Sequence, residues 1–113
     1  MHASAQEVSQ EVTKALKAGD ADLLSKHFNS TLDISLPDTD QTMSKSHATQ
    51  VIKKFFKDNP PKSYEVNHEG SSRESTKYII GTYISGSKSF KTYVLLKESE
   101  GKYTIVQLQF ELE

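Results

Sequence analysis

The chain has 113 residues, of which 35% are hydrophobic and 26% are charged, and its formal net charge is −1. This length and balance are typical of one globular domain with its own core. The near-neutral charge argues against binding to nucleic acid, and the absence of cysteine excludes disulfides, thiol catalysis and cysteine-ligated metal sites.

The first two predicted elements are helices. A helix from Ala5 to Ala18 is predicted by apolar residues that recur on one face, namely Ala5, Val8, Val12, Ala15 and Leu16. Gly19 can adopt the left-handed backbone conformation that ends the first helix, and Asp20 can cap a second helix over Ala21–Phe28. The two helices are therefore expected to form a hairpin with almost no connection.

A strand, a turn and a third helix follow. Strict alternation predicts a strand over Thr31–Leu36, and Pro37–Asp40 is a turn that leads to a short strand at Gln41–Met43. Ser44 is the predicted cap of the third helix, which ends at Asn59-Pro60-Pro61. The apolar stripe of this helix consists of Ala48, Val51, Ile52, Phe55 and Phe56.

The rest of the chain is predicted to form strands at Ser63–Gly70, Lys77–Ile84, Ser89–Lys97 and Tyr103–Leu112. Short turns join the last three strands, which indicates an antiparallel meander. With helices early and strands late, the pattern predicts an α+β fold in which a curved, mostly antiparallel sheet wraps around three helices.

This order of elements resembles the nuclear transport factor 2-like (cystatin-like) superfamily, in which a curved sheet and helices form a cone. Several segments also resemble one family of uncharacterised bacterial proteins, most of them exported. These segments are residues 18–23 (AGDADL), 28–30 (FNS), 55–61 (FFKDNPP), 78–82 (YIIGT) and 105–111 (IVQLQFE). The resemblance covers Val8 to Glu111 and implies one nuclear transport factor 2-like domain over residues 1–113.

The same resemblance implies a periplasmic or secreted location and carries no functional residues over to this chain. No signal peptide or membrane span is visible, so we interpret the chain as a mature form. Residues 1–5 are expected to be unstructured, and Met1 is either a native start or an initiator placed on a mature fragment.

A cone of this kind can hold a small ligand, and the candidate cavity-lining residues are His68, Tyr64, Tyr78, His27 and Phe55. Alternation places His68 on the face of Tyr64, toward the helices, where it is either a hydrogen-bonded core histidine or a polar spot in a pocket. Ketosteroid-isomerase-like relatives need a carboxylate base in the cavity.

The carboxylates are predicted to lie elsewhere. Asp33, Glu65 and Glu69 alternate outward, and Asp38 and Asp40 lie in a turn. Unless a bulge reverses the alternation, no acid faces the cavity, and we assign no catalytic residue. The histidines are scattered over separate elements without paired ligand spacing, so we predict no metal and no cofactor; they are His2, His27, His47 and His68.

The outer face of the sheet is predicted to be apolar. With Ile80, Val94 and Val106 turned inward, the opposite face collects Ile79, Tyr83, Tyr93, Leu95, Tyr103 and Ile105. Such a patch indicates a homodimer or a protein-docking surface, although tyrosines are also simply good strand formers.

We therefore predict a non-catalytic domain that binds a partner protein or a small apolar ligand. The first alternative is a ketosteroid-isomerase-like enzyme that uses His68 and a tyrosine in the cone. The second alternative is a structural assembly subunit. A solvent-connected pocket lined by His68 and Tyr78 favours the enzyme, whereas a packed cone favours interaction or structure.

Overall fold

The structure, a computed structural model, describes residues 4–73 and 75–113. Within these residues, three helices and six strands follow one another as α1 (Ala5–Ala18), α2 (Ala21–Ser25), β1 (Phe28–Leu36), β2 (Thr39–Ser44), α3 (Lys45–Asp58), β3 (Ser63–Arg73), β4 (Thr76–Ser85), β5 (Lys88–Ser99) and β6 (Lys102–Leu112). The predicted α+β class is confirmed.

Side-chain caps define the ends of the helices. The Ser4 hydroxyl accepts a hydrogen bond from the Glu7 amide (3.1 Å), and the Glu7 carboxylate accepts one from the Ser4 amide (3.1 Å). Gly19 ends α1 with φ 64°, and the Asp20 carboxylate accepts from the Leu23 amide at 3.0 Å. Because Ser4 caps α1 and Ala5 begins it, the prediction that residues 1–5 are unstructured is wrong for these two, and 1–3 lie outside the described residues.

The second helix is shorter than predicted, because it ends at Ser25 and Phe28 already belongs to β1. Phe28 pairs in parallel with Ile105 of β6, and the Ile105 amide donates to the His27 carbonyl at 2.6 Å. This long-range pairing draws the His27–Phe28 backbone into the sheet, although the local apolar spacing fits a helix. The predicted short strand is also longer, since β2 pairs with β1 over six residues.

The sheet has the order β2-β1-β6-β5-β4-β3, and every neighbouring pair is antiparallel except β1–β6. The core lies between its concave face and the helices. Its largest group is an aromatic cluster with ring centroids 4.4 to 6.5 Å apart, made of Phe55, Phe56, Tyr83, Phe90 and Phe110. The Tyr83 hydroxyl donates to the Asn59 carbonyl at 2.6 Å and so joins the end of α3 to β4. Burial raises the pKa of Tyr83.

Two register shifts change which side chains face the core. In β3, Val66 pairs with Gly81 and His68 pairs with Ile80, so Asn67 is an extra residue. In β6, a shift of the same kind leaves Val106 without a directly opposed residue on β5. Each shift reverses the inward and outward alternation beyond it.

The predicted outer face is wrong for Ile79, Tyr83 and Ile105, which are each 0% exposed within the core. Ile79 lies directly opposite Val94 on β5, and opposed residues share a face, so both point toward the helices. Tyr103 is partly buried against the core.

Of the predicted set, Tyr93 and Leu95 remain partly exposed on the outer face, where Tyr78 and Ile80 are their neighbours on β4. None of the helices formed by residues 4–73 and 75–113 is long and apolar enough to span a bilayer.

Candidate functional site

A groove lies at the open end of the cone, between α3, the β1–β2 turn and the ends of β5 and β6. Its volume is about 580 Å³. The apolar side chains that line it are Leu36, Pro37, Val51, Phe55, Phe90 and Leu112. Leu112 is 51% exposed and is the one large hydrophobic residue of the described chain that lies so open to solvent. The groove therefore presents an uncovered apolar surface.

The rim of the groove is charged. Lys54 Nζ lies 2.5 Å from Asp58 Oδ2, and this hydrogen bond raises the pKa of Lys54 and lowers the pKa of Asp58. Lys88 Nζ lies 3.5 Å from Asn59 Oδ1, and none of the ion pairs found among the described residues involves Lys88. Lys88 is thus a cation at the rim without a direct ion-pair partner among the described residues, and its charge helps to lower the pKa of Asp58. Asp38 completes the charged rim.

The predicted cavity residues do not come together. Phe55 lines the groove, and Tyr64 is buried on the concave face. His27 Nε2 lies 2.7 Å from Glu11 Oε1 and links the turn before β1 to α1. His68 and Tyr78 lie on the outer face, with His68 Nε2 3.2 Å from the Tyr78 hydroxyl.

The prediction that His68 faces the helices is wrong because the extra residue Asn67 reverses the alternation in β3. The same shift turns Glu69 inward, where the Ser9 hydroxyl donates to Glu69 Oε1 at 2.6 Å. Lys77 Nζ lies 3.6 Å from the same oxygen, and the Glu69 side chain is 41% exposed. The prediction that every acid is kept off the concave face is therefore wrong for Glu69, although this carboxylate is neither buried nor beside His68.

No group of three His, Cys, Asp or Glu side chains in residues 4–73 and 75–113 is arranged to hold a metal ion. His27 lies in the turn between α2 and β1, His47 lies on α3 and His68 on β3, and His2 lies outside the described residues.

Comparison with protein families matches residues 9–111 to a domain of unknown function, DUF4783. The chain belongs to the DUF4783 family. A DUF4783 protein from Bacteroides uniformis ATCC 8492 is 23% identical, with a TM-score of 0.87 over 92% of this chain and 95% of that one. A second from Bacteroides ovatus ATCC 8483 is 26% identical, with a TM-score of 0.86 over 91% and 93%.

A nuclear transport factor 2-like protein of unknown function from Cytophaga hutchinsonii ATCC 33406 is 14% identical, with a TM-score of 0.68 over 97% of this chain and 90% of that one. No curated protein matches the chain. The predicted membership of an uncharacterised family with a nuclear transport factor 2-like fold is confirmed.

Among the described side chains of this DUF4783 domain, the buried hydroxyls of Tyr64 and Thr92 have no well-aligned hydrogen-bond partner. Tyr64 is 3% exposed and Thr92 is 0% exposed. Burial raises the pKa of Tyr64, interaction with the Thr92 hydroxyl lowers it, and the charge of Glu69 raises it by a smaller amount. The Tyr64 ring covers Gly81, where a Cβ would lie 2.6 Å from the Tyr64 hydroxyl. The two hydroxyls interact with each other but form no well-aligned hydrogen bond, so their burial is poorly compensated.

Replacing Thr92 with valine is therefore expected to raise the free energy of unfolding by about 1 kcal/mol, because it removes an unpaired buried hydroxyl at nearly constant shape. Urea denaturation followed by circular dichroism measures the change. Thr104→Val is the matched control, since the Thr104 hydroxyl donates to Asn29 Oδ1 at 3.3 Å and its loss should not stabilise the DUF4783 domain. A destabilised Thr92→Val variant would show that this hydroxyl has a partner.

Sequence reasoning missed most of the groove of this DUF4783 domain. Its lining comes from the end of β1, the outer edge of α3, and the last residues of β6. Two signals were available. Val51 extends the apolar stripe of α3 to one side, and Leu112 is an apolar residue between Glu111 and Glu113 at the end of a strand.

Proposed function

We propose that this domain is a non-catalytic binding domain that takes a small molecule with an apolar body and an acidic group into the groove at the open end of the cone. The volume of about 580 Å³ lies within the range of small-molecule sites. An apolar lining with a few charged groups at the rim is also the usual composition of such sites.

The observation that carries the proposal is the exposure of Leu112, which is 51%. Leu36 and Val51, both partly exposed, line the same groove. Each Å² of apolar surface removed from water is worth about 25 cal/mol, so a ligand that covers these three side chains gains affinity from burial.

The position of Lys88 at the rim is the reason for proposing that the ligand carries an acidic group. The Lys88 ammonium lies at the rim 3.5 Å from the Asn59 amide oxygen and belongs to none of the ion pairs found among the described residues, whereas Lys54 is already paired with Asp58. An acidic ligand group beside Lys88 forms a new ion pair without breaking an existing one. Such a pair at an exposed rim contributes about 0.2–1 kcal/mol, so it orients the ligand more than it holds it.

The test uses 8-anilinonaphthalene-1-sulfonate, which has an apolar body and one acidic group, and follows its fluorescence on titration. Leu112→Glu is expected to weaken binding about tenfold, because it places a charge on the apolar surface. Lys88→Ala should weaken binding about two- to fivefold.

Tyr93→Ala, on the outer face of the sheet, is the control and should leave the binding of this probe unchanged. Equal affinity of Leu112→Glu and the unaltered protein would contradict the proposal.

The enzymatic alternative has less support. It needs His68 and a tyrosine inside the cone, but His68 and Tyr78 meet on the outer face.

A location in the bacterial envelope also belongs to the proposal and is supported by the resemblance to exported proteins. Detection of the native protein in the cytoplasmic fraction of fractionated cells would contradict that location.

A protein partner, a homodimer and an assembly subunit all depend on the outer face of the sheet. With Ile79, Tyr83 and Ile105 in the core, this surface is smaller and less apolar than the sequence predicts.

A further inference from the structure

The outer face of the sheet consists of two rows of side chains that cross all six strands. The first row runs through Thr42, Asp33, Gln107, Leu95, Tyr78 and Gly70. The second row runs through Asp40, Ser35, Gln109, Tyr93, Ile80 and His68. Each row is polar on β2, β1 and β6 and apolar or aromatic on β5, β4 and β3.

Three rings form an aromatic row on the apolar half. The rings of Tyr78 and Tyr93 are nearly parallel, with planes 18° apart and centroids 6.4 Å apart. The His68 ring follows at 5.6 Å from Tyr78 and is hydrogen-bonded to its hydroxyl. The hydroxyl end of Tyr78 covers Gly70, where a Cβ would lie only 2.5 Å from that oxygen. These contacts fix the position of the Tyr78 side chain between Tyr93 on β5 and the residues His68 and Gly70 on β3.

The polar half contains a shallow concavity of about 370 Å³, lined by Asp33, Ser35, Asp40, Gln41, Thr42 and Gln107. The Thr42 hydroxyl donates to Asp33 Oδ1 at 2.5 Å, which leaves the second carboxylate oxygen of Asp33 to accept from another group. Gln107 and Gln109 add amide donors and acceptors between the concavity and the aromatic row.

We propose that these two rows bind a neutral glycan chain. Sugar rings have apolar C–H faces that pack on aromatic rings, and their hydroxyls pair with amides, hydroxyls and carboxylates. Both chemistries occur here side by side, with Tyr93 directly opposite Gln109 and Leu95 directly opposite Gln107. At ~4.8 Å between neighbouring strands, six strands span about 24 Å, which accommodates a linear chain of several sugar units.

The charge of the face favours a neutral glycan over a nucleic acid. An aromatic row can also stack bases, but single-stranded nucleic acid needs a basic groove along its backbone. Among the described side chains of the two rows there is no lysine or arginine, and the acidic residues are Asp33 and Asp40. Lys91 and Lys97 lie on the neighbouring rows.

The size of the apolar half argues against a second copy of the chain. Leu95, Tyr78, Tyr93 and Ile80 cover roughly 10 Å across the strands and roughly 13 Å along them, or on the order of 130 Å². A stable dimer needs about 800 Å² from each partner. The polar half would supply the remainder only by burying Asp33 and Asp40.

The test titrates the protein with five linear neutral hexasaccharides, namely cello-, xylo-, manno-, laminari- and maltohexaose, and follows amide chemical shifts by NMR. At least one hexasaccharide is expected to shift β4 and β5 amides at millimolar concentration. Tyr93→Ala is expected to weaken that interaction about tenfold, and Gln109→Ala, which leaves the rings intact, about three- to tenfold. Lys91→Ala, on the outer face of β5 but outside the two rows, is the matched control and should bind as the unaltered protein does.

Four results would overturn the proposal. The first is the absence of shifts with all five hexasaccharides. The second is binding that both Tyr93→Ala and Gln109→Ala leave unchanged. The third is a homodimer in light scattering that Tyr93→Ala dissociates. The fourth is binding of a single-stranded oligodeoxynucleotide to these strands. These outcomes test the outer face and not the groove. Leu112→Glu changes the groove but leaves the outer face intact, so the failure of one proposal can be distinguished from the failure of the other.

Discussion

Replacing Phe110 with alanine is expected to lower the free energy of unfolding by about 3–5 kcal/mol. Phe110 is 1% exposed at the centre of the aromatic cluster. Its ring centroid lies 4.4 Å from that of Phe55 on α3 and 5.4 Å from that of Tyr83 on β4. Alanine removes the whole ring, and the remaining rings are held on three separate elements, so the cavity cannot collapse fully.

Urea denaturation followed by far-ultraviolet circular dichroism measures this loss. Leu112→Ala is the matched control, because Leu112 lies two residues further along the same strand and is 51% exposed. The control should lose less than about 1 kcal/mol. If the two variants were equally stable, Phe110 would not lie in a packed core.

Gly81→Ala is expected to lower the free energy of unfolding by about 2–3 kcal/mol, near the upper end for overpacking. A Cβ at this position would lie 2.6 Å from the Glu65 carbonyl oxygen and 2.6 Å from the Tyr64 hydroxyl. The tyrosine can move, but the carbonyl belongs to the backbone of β3. Relief of that contact requires β3 to separate from β4 beside the extra residue Asn67.

The double variant Gly81→Ala/Tyr64→Phe separates these two contacts. It should recover only part of the loss, because the Glu65 carbonyl still meets the new methyl group. Ser85→Ala, on the same face of β4, is the control and should change stability by no more than about 1 kcal/mol. Full recovery in the double variant would show that the side-chain contact alone is responsible.

The elements that could be predicted from the sequence are those with local signals. The apolar stripe of α3 and its Ser44 cap lie within one segment, and the His47 amide donates to the Ser44 hydroxyl at 3.2 Å as predicted. Asp20 and Gly19 are similar cases, because a cap depends on neighbours a few residues away. The positions of α1 and α3 and the meander are confirmed for this reason.

The faces of the strands could not be predicted, because they depend on register between distant segments. Nothing in the sequence from Tyr64 to Gly70 marks Asn67 as an extra residue, yet it moves His68 outward and Glu69 inward. The outer face was misassigned for a related reason, since Ile79 and Val94 can be placed on one face only when their pairing is known.

The groove presented the same difficulty in another form. Leu36, Val51 and Leu112 come from three separate parts of the chain and meet only in the folded molecule. A local pattern therefore indicates that each residue is apolar but not that the three form one surface. The length of α2 was mispredicted because Phe28 satisfies a helical spacing that the pairing with β6 overrides.

The position of β6 between β5 and β1 has a consequence for biosynthesis. The β1–β2 hairpin and the β3–β5 meander are hydrogen-bonded to each other only through this last strand. While Lys102–Leu112 is still inside the ribosome exit tunnel, both parts of the sheet have been made but present open edges to the surrounding solution. Completion of the sheet must therefore follow emergence of β6, and a variant that lacks Lys102–Leu112 is expected to leave these two parts unpaired and prone to association with other nascent chains. Pulse-chase proteolysis of stalled nascent chains would contradict this order if protection preceded the emergence of β6.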